Sequence, residues 1–516
     1  MSAVGMSSGP RAGAKEWLGL AVLLLPTVLL FLAMTVLFLA TPQIATDLVP
    51  SSSQLLWIND VYGLVMAGLL VAMGTLGDRL GRRRIMLLGA AAFGLASVAA
   101  AFAPDAAWLI AARAVMGVGA AAVMPSTLSL ISNMFRDDRQ RGTAIGLWAA
   151  SISVGVAVGP LVGGLLVESF WWGAALLIGV PVMALVLVAT PFLVPEYKAA
   201  RAGTLDVASV LLSMASLLPI VYGIKEMAKH GLTVTATVTT VVGLLLSVAF
   251  VRRQLKLASP LLDVRLFANR TFSGGLGVLL FSAIALGGVY LLFTQYLQLV
   301  AGLSPLESGL WILPAALALV VVSMVSPKIA RRVRPAYVLA GGSLFSLAGY
   351  IVLTQAEAPG LPLMILGFYL LYPGIAPTMA LTTSLVIGAA PPEKAGAASA
   401  VTTTASDLGT SLGIALLGSL GAAVYRSAVP DSLPSAAADT LPGALTAAET
   451  LPAAQASALV DVARDAFTEG LNVAAGAAAL LVTLAIVIAL TLLRRIPASG
   501  EPAPSGEPRQ PETAGV

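Results

Sequence analysis

The chain has no cysteine and one histidine, and only 10% of its 516 residues carry a charged side chain. Without cysteine there is no disulfide framework, no thiolate chemistry and no cysteine-based metal site. His230 follows Lys225 and Lys229 and reads as a solvated loop residue, so no metal is expected. A soluble domain carries about a quarter charged residues, and a chain this poor in charge cannot cover a water-facing surface. It must face hydrocarbon: 58% of the residues are hydrophobic and the mean hydropathy is +0.93. The net charge of +4 does not indicate nucleic acid, because the basic residues lie in short loops and form no face interleaved with aromatics. No P-loop is present, so ATP does not drive the protein. No hydrolytic constellation is visible either, and the chain reads as a non-enzyme without cofactor.

What the chain does have is apolar runs. A bilayer core about 30 Å thick needs about 20 apolar residues in a helix. Runs of that kind occupy 17–41, 55–76, 84–103, 107–132, 142–167, 172–194, 205–224, 233–251, 272–300, 308–326, 336–354, 361–387, 396–425 and 471–493. The first is longer than a signal-peptide core and lacks an A-x-A-like site before Pro42, so it is read as a retained span. The expectation is an all-α integral membrane protein of fourteen transmembrane helices.

The basic residues set the orientation. Alternate connections hold 24 of the 29 Lys and Arg residues; the other set holds Lys225, Lys229, Arg426 and Arg464, and Arg113 lies inside a span. The positive-inside rule then places both termini in the cytoplasm. A long loop, 426–470, falls outside the cell, and its end at 456–470 suits a short amphipathic helix. The tails are 1–16 and 495–516; the second is rich in Pro, Gly and Glu and reads as disordered.

Three motifs stand out. Between the second and third runs lie Gly74, Gly77, Asp78, Arg79, Gly81, Arg82, Arg83 and Arg84, glycines for a tight turn around a charge network. The fifth run carries Gly155, Gly159, Pro160, Gly163 and Gly164; glycines four apart admit a neighbouring backbone and the proline bends the helix. The fourth run carries Arg113 before Gly117 and Gly119. Together these resemble the loop signature, the antiporter motif and the intramembrane arginine motif of the major facilitator superfamily, in particular its fourteen-helix drug:proton antiporters. Further stretches resemble the quaternary-ammonium and dye efflux group of that family. They are Trp57–Tyr62, Met124–Ser129, Leu262–Phe267, Leu303–Pro305 with Gly309, and Ala395–Ala400. The resemblance implies two six-helix bundles, 17–194 and 272–494, with 205–251 inserted between them around a midplane cavity. It also implies that Asp78 and the arginines lock the bundles together when the transporter opens outward.

Ionisable groups inside a span are costly and point to function. Asp60, Asp407 and Arg113 are such groups. A proton-coupled exporter needs a carboxylate that takes and releases protons on opposite sides, which makes Asp60 and Asp407 the coupling candidates. Asp60 also reads as an interfacial acid bonded to a neighbouring helix, and Asp407 as a structural one. Arg113 reads as the partner of a carboxylate or of a substrate anion, or as an arginine satisfied by backbone carbonyls. Polar and aromatic candidates for the cavity wall are Tyr62, Trp148, Tyr290, Gln295, Gln298, Tyr369, Tyr372 and Thr403, each of which also suits ordinary packing. The chain departs from the family pattern at three acids. The first-span aspartate is Ala33, the stretch 402–404 carries only threonines where quaternary-ammonium pumps have glutamate, and Leu313–Leu319 is uncharged. Fewer acids weaken the attraction for a cation. The expected function is efflux of a small amphiphilic drug or antibiotic, neutral or anionic at least as readily as cationic, driven by protons across a bacterial plasma membrane by a monomer. The rivals are an uptake symporter or lipid carrier on the same fold and a non-transporting membrane sensor.

Overall fold

The computed structural model describes residues 11–198, 206–257, 260, 262–390, 395–429 and 438–497. Among these, fourteen helices are long and apolar enough to cross a membrane, and there is no strand. They are α1 Ala14–Leu48, α2 Ser52–Leu80, α3 Arg82–Ala101, α4 Ala106–Met134, α5 Asp138–Ser169, α6 Ala174–Leu193 and α7 Val207–His230. After these come α8 Val234–Lys256, α9 Arg270–Val300, α10 Pro305–Ile329, α11 Pro335–Leu353, α12 Leu361–Gly388, α13 Ala395–Ala428 and α14 Ala453–Leu492. Each of the fourteen apolar runs coincides with one helix.

Local chemistry sets several helix starts. Ser51 and Gln54 form a reciprocal capping box on α2, and Ser304 and Glu307 do the same on α10 with Pro305 at its first position. Asp105 and Asp137 cap α4 and α5 by accepting from the Trp108 and Gln140 amides. Gly81, at φ +117°, makes the sharp turn from α2 into α3 that a side chain would oppose. Large apolar side chains lie on the outside: Leu95, Phe192 and Leu480 are each 73% exposed. Such a surface is stable against lipid rather than water.

The core falls into two large clusters. One is built from residues between Leu20 and Val194. The other draws mainly on residues between Ala285 and Ile486, with Phe38, Leu39, Leu56 and Ala157 reaching in from the first half. The pair α7–α8 packs on itself, and α7 touches both α2 and α13. At its start Arg253 donates two 2.8 Å bonds to the Asp206 carboxylate. The hydrogen bonds from Arg253 and then Ser209 hold that carboxyl well below the usual carboxylate range.

Four readings of the sequence need correction. Lys225 is not a loop residue; it lies within α7 with its side chain fully buried, so the lightly charged side of the membrane carries one charge fewer. His230 ends that helix, its Nε2 3.6 Å from a Glu226 carboxylate oxygen. The segment 426–470 is not a long loop: a short helix, Leu441–Ala448, packs into it, and α14 begins at Ala453 as one continuous 40-residue rod. The first helix starts at Ala14, inside the expected tail. The expected disorder of 495–516 falls almost wholly outside the described residues.

Candidate functional site at the seam of the two halves

α2 carries the richest set of polar groups. Asp60 is fully buried and lies 2.9 Å (Oδ1) and 2.7 Å (Oδ2) from Lys225 Nζ of α7. The same ammonium sits 3.7 Å from the centroid of the Trp57 ring, one helical turn before Asp60. Arg113, also fully buried, lies 4.6 Å over the Tyr62 ring and donates one long 3.4 Å bond from Nε to the Ile58 carbonyl. Its two terminal nitrogens have no hydrogen-bond partner among the described residues. Asp60 and Arg113 are close enough to interact electrostatically, as are Tyr62 and Asp407. Asp407 is 4% exposed on α13, where its Oδ2 has no partner among the described residues. The backbone of α13 passes α2 at Gly63, where a Cβ would stand 2.6 Å from Ser411 Oγ and 4.0 Å from the Asp407 carbonyl oxygen.

Among the described residues, aromatic and carbonyl contacts hold Arg113, and Asp60 bonds to Lys225 of the neighbouring α7. Sequence reasoning missed Lys225 because the apolar run was closed at residue 224 and the next charge was taken as a loop marker. A lysine one residue past a run, with an unpaired aspartate in another span, was the available signal.

The glycines of α5 are packing surfaces. A Cβ on Gly155 would stand 2.5 Å from the Val28 carbonyl oxygen, and one on Gly163 3.0 Å from Val36 Cα. Thr35 fills the space beside Gly159. These three seat α5 on α1. Gly164 faces the other half, 2.8 Å from Leu306 Cα at its Cβ position, and Gly309 of α10 meets the Pro160 carbonyl at 2.6 Å. Nearby the Leu306 amide donates to Glu168 (3.0 Å) and Gln298 Nε2 donates to the Leu39 carbonyl (3.1 Å). Ser52 donates to Asp439 (2.9 Å) and accepts from Arg426 (3.0 Å). The halves thus meet at one end. At the other end Gly142 and Gly146 of α5 have open space around them.

In the α2–α3 turn, Arg82 binds Asp78 (Nε 2.8 Å, a terminal nitrogen 2.7 Å) and reaches the Pro125 carbonyl at 3.4 Å. A Cβ on Gly74 would face that same Arg82 end and Pro125, each at 3.8 Å. Arg79 is exposed. The bonds made by Arg82 and Asp78 stay within the first half.

Most residues expected to line a cavity make hydrogen bonds or ring contacts of their own. Tyr62 is buried, its hydroxyl donating to the Leu30 carbonyl at 3.1 Å. Tyr290 and Tyr372 stack with Phe368 in the second core. Tyr369 donates to the Trp311 carbonyl, Trp148 to Thr127, and Thr403 to its own helix at Ser399. Gln298 is a bridge between halves. Gln295 borders a small apolar gap near Ser52 and Tyr425. A larger cavity, about 450 Å³, opens instead between α2, α7, α8, α9 and α13, walled by Gly68, Ser213, Ser216, Phe250, Phe267 and Thr404 among others. Among the described residues no charged side chain lines it.

Residues 23–414 match the family model of the Major Facilitator Superfamily. The chain belongs to that family. It is 42% identical to a Multidrug efflux pump, LfrA, of Mycolicibacterium smegmatis, over 95% of this chain and 99% of that one. It is 37% identical to the Methyl viologen resistance protein SmvA of Salmonella typhimurium, over 92% and 97% of the two chains. Among solved structures it resembles a bacterial homolog of the human lysosomal transporter Spinster (TM-score 0.69, 19% identity, 96% of this chain and 100% of that one). It also resembles a peptide transporter, POT, in complex with sulfate (TM-score 0.63, 16% identity, 95% and 98%). At those identities the structures establish the major facilitator fold, and no more.

Proposed function

We propose that the chain is a proton-driven exporter of small amphiphilic drugs or antibiotics, a monomer in a bacterial plasma membrane that works by alternating access. The observation that carries the proton coupling is Asp407, a buried carboxylate with an unpartnered oxygen on the helix that faces α2 across the seam. Asp60 is the second coupling carboxylate. The export direction is supported by the relatives named as efflux and resistance proteins. The two bundles are 17–194 and 272–494, with 205–251 as the insertion and both termini in the cytoplasm. In that orientation the closed end of the seam is extracellular, and the turn holding Asp78 and Arg82 is cytoplasmic with its interbundle lock open. The uncharged wall of the 450 Å³ cavity suits a neutral amphiphile better than a charged one.

Cells expressing the chain should accumulate less of at least one compound in a panel of cationic dyes, neutral antibiotics and anionic antibiotics. Collapse of the proton gradient should restore the accumulation. Increased uptake, or no change across the panel at normal expression, overturns the reading. Reporter fusions after Arg84, Arg141 and Arg334 should be cytoplasmic, and one within 430–465 extracellular, because of the asymmetry in basic residues. An extracellular signal from any of the first three breaks the topology.

A further inference from the structure

The inserted pair α7–α8 is tied to the rest of the molecule in an uneven way. On the α2 side α7 makes the buried bridge from Lys225 to Asp60. Between α2, α7 and α13 there is otherwise an apolar cluster: Leu64, Val221 and Ala415 are buried, with Leu217, Leu408 and Leu412 packed on them. Apolar contact is non-directional and tolerates sliding; a buried ion pair at 2.7 Å is not so tolerant. We infer that Lys225 is a positioning residue for Asp60, holding the carboxylate while it is charged and leaving it when a proton arrives. Proton uptake thereby becomes movement of α7–α8 across α13. The inference rests on the reading of Asp60 as a coupling carboxylate.

The charge accounting is simple. With Asp60 ionised, Asp60, Lys225 and Arg113 together carry one net positive charge. A proton added to an Asp60 oxygen leaves a neutral acid, while Lys225 keeps all three of its protons and loses its countercharge. Two buried cations, Lys225 and Arg113, are then left around a neutral Asp60. The other elements packed on α2 offer little relief. α1 brings no ionisable side chain between Trp17 and Thr46, α3 only the arginines at its start, Arg82–Arg84, and α4 Arg113 itself; the acids are Asp407 of α13, which acts on Tyr62, and Glu226 of α7, which faces His230. A buried unpaired ammonium is unstable in such a place. Lys225 lies five residues before the end of α7, and a lysine near a helix end can extend its head to the membrane surface. Its exit takes the ammonium off the Trp57 ring, which makes that indole a built-in reporter.

The test uses the purified full chain. The emission of Trp57 is isolated as the difference between each protein and the same protein carrying Trp57→Phe, from about pH 5 to about pH 9. The parent should move between two plateaus. Asp60→Asn should show the low-pH plateau throughout, Lys225→Met should show no transition, and Lys225→Arg should keep one. In everted vesicles Lys225→Met should lose substrate-driven proton release by about tenfold or more, with Lys225→Arg restoring most of it. An Asp60→Asn protein on the high-pH plateau, or a transition retained in Lys225→Met, overturns the inference. Normal proton release from Asp60→Asn instead overturns the coupling role on which it rests, so the two failures are told apart. Size-exclusion elution of each variant excludes misfolding as the cause, and the arginine variant supplies the test if methionine does not fold.

Discussion

Asp407→Asn is expected to abolish proton-coupled export and to leave the protein folded and inserted. The substitution keeps the size and shape of the side chain and removes only its capacity to gain and lose a proton. The carboxyl is 4% exposed and its Oδ2 has no partner among the described residues, so an amide breaks no ion pair there. Its place on α13 opposite Gly63 puts it on the surface that must separate from α2 when the halves rock. A group at that seam meets water from one side and then the other, as a coupled cycle requires. Loss of the coupling step should lower the transport rate by at least about tenfold, equivalent to about 1.4 kcal/mol of barrier. Substrate-induced proton release from everted vesicles is the measurement. Wild-type release from the asparagine variant would move the role to Asp60.

A second large effect is expected at Gly164. A Cβ there would stand 2.8 Å from Leu306 Cα, and both groups belong to backbone that cannot swing aside. Gly164→Leu should therefore wedge α5 from α10 at the end where the halves now meet. Overpacking of this kind costs about 1–3 kcal/mol, which shifts a two-state balance by about fivefold to more than a hundredfold. The absence of native cysteine makes the measurement clean, since a pair placed at Glu168 and Leu306 reports only on this contact. Cross-linking should be efficient in the parent and fall at least about fivefold in Gly164→Leu, with transport falling in parallel. Gly142→Ala is the control, because nothing lies within 4 Å of its Cβ position. Equal cross-linking and equal transport in parent and Gly164→Leu would remove this contact from the cycle.

The spans were legible in the sequence because lipid leaves so little choice: every crossing segment must be helical and apolar for about 20 residues. The start of α14 was not, since the Ala-rich stretch 453–470 has helix-forming side chains but too little hydropathy to extend an apolar run. Side-chain direction was the other blind spot. In a water-soluble helix polarity marks the outer face, but here lipid-facing and core-facing positions are both apolar. Tyr290 and Tyr372 could not be assigned to a cavity or to a packed core on that basis, and the structure puts them in the core. The glycines of α5 were legible because close backbone approach admits few other residues. Their partners were not, because Gly164 and Gly163 are adjacent in sequence yet meet opposite halves. Lys225 was hidden by its position at the margin of a run, where a charge is ordinarily wet.

The bridge from Lys225 to Asp60 also bears on how this protein can be shortened. A twelve-helix version made by excising α7 and α8 looks feasible on topology, since two spans removed together preserve the sidedness of everything after them. Yet the excision takes away the countercharge and leaves an aspartate stranded in hydrocarbon. Any ancestor or engineered minimal form that lacks the pair must therefore keep Asp60 protonated, carry a neutral residue at position 60, or rely on another cation such as Arg113. The two added helices and that single acid are interlocked, and neither can be gained or lost alone without a penalty.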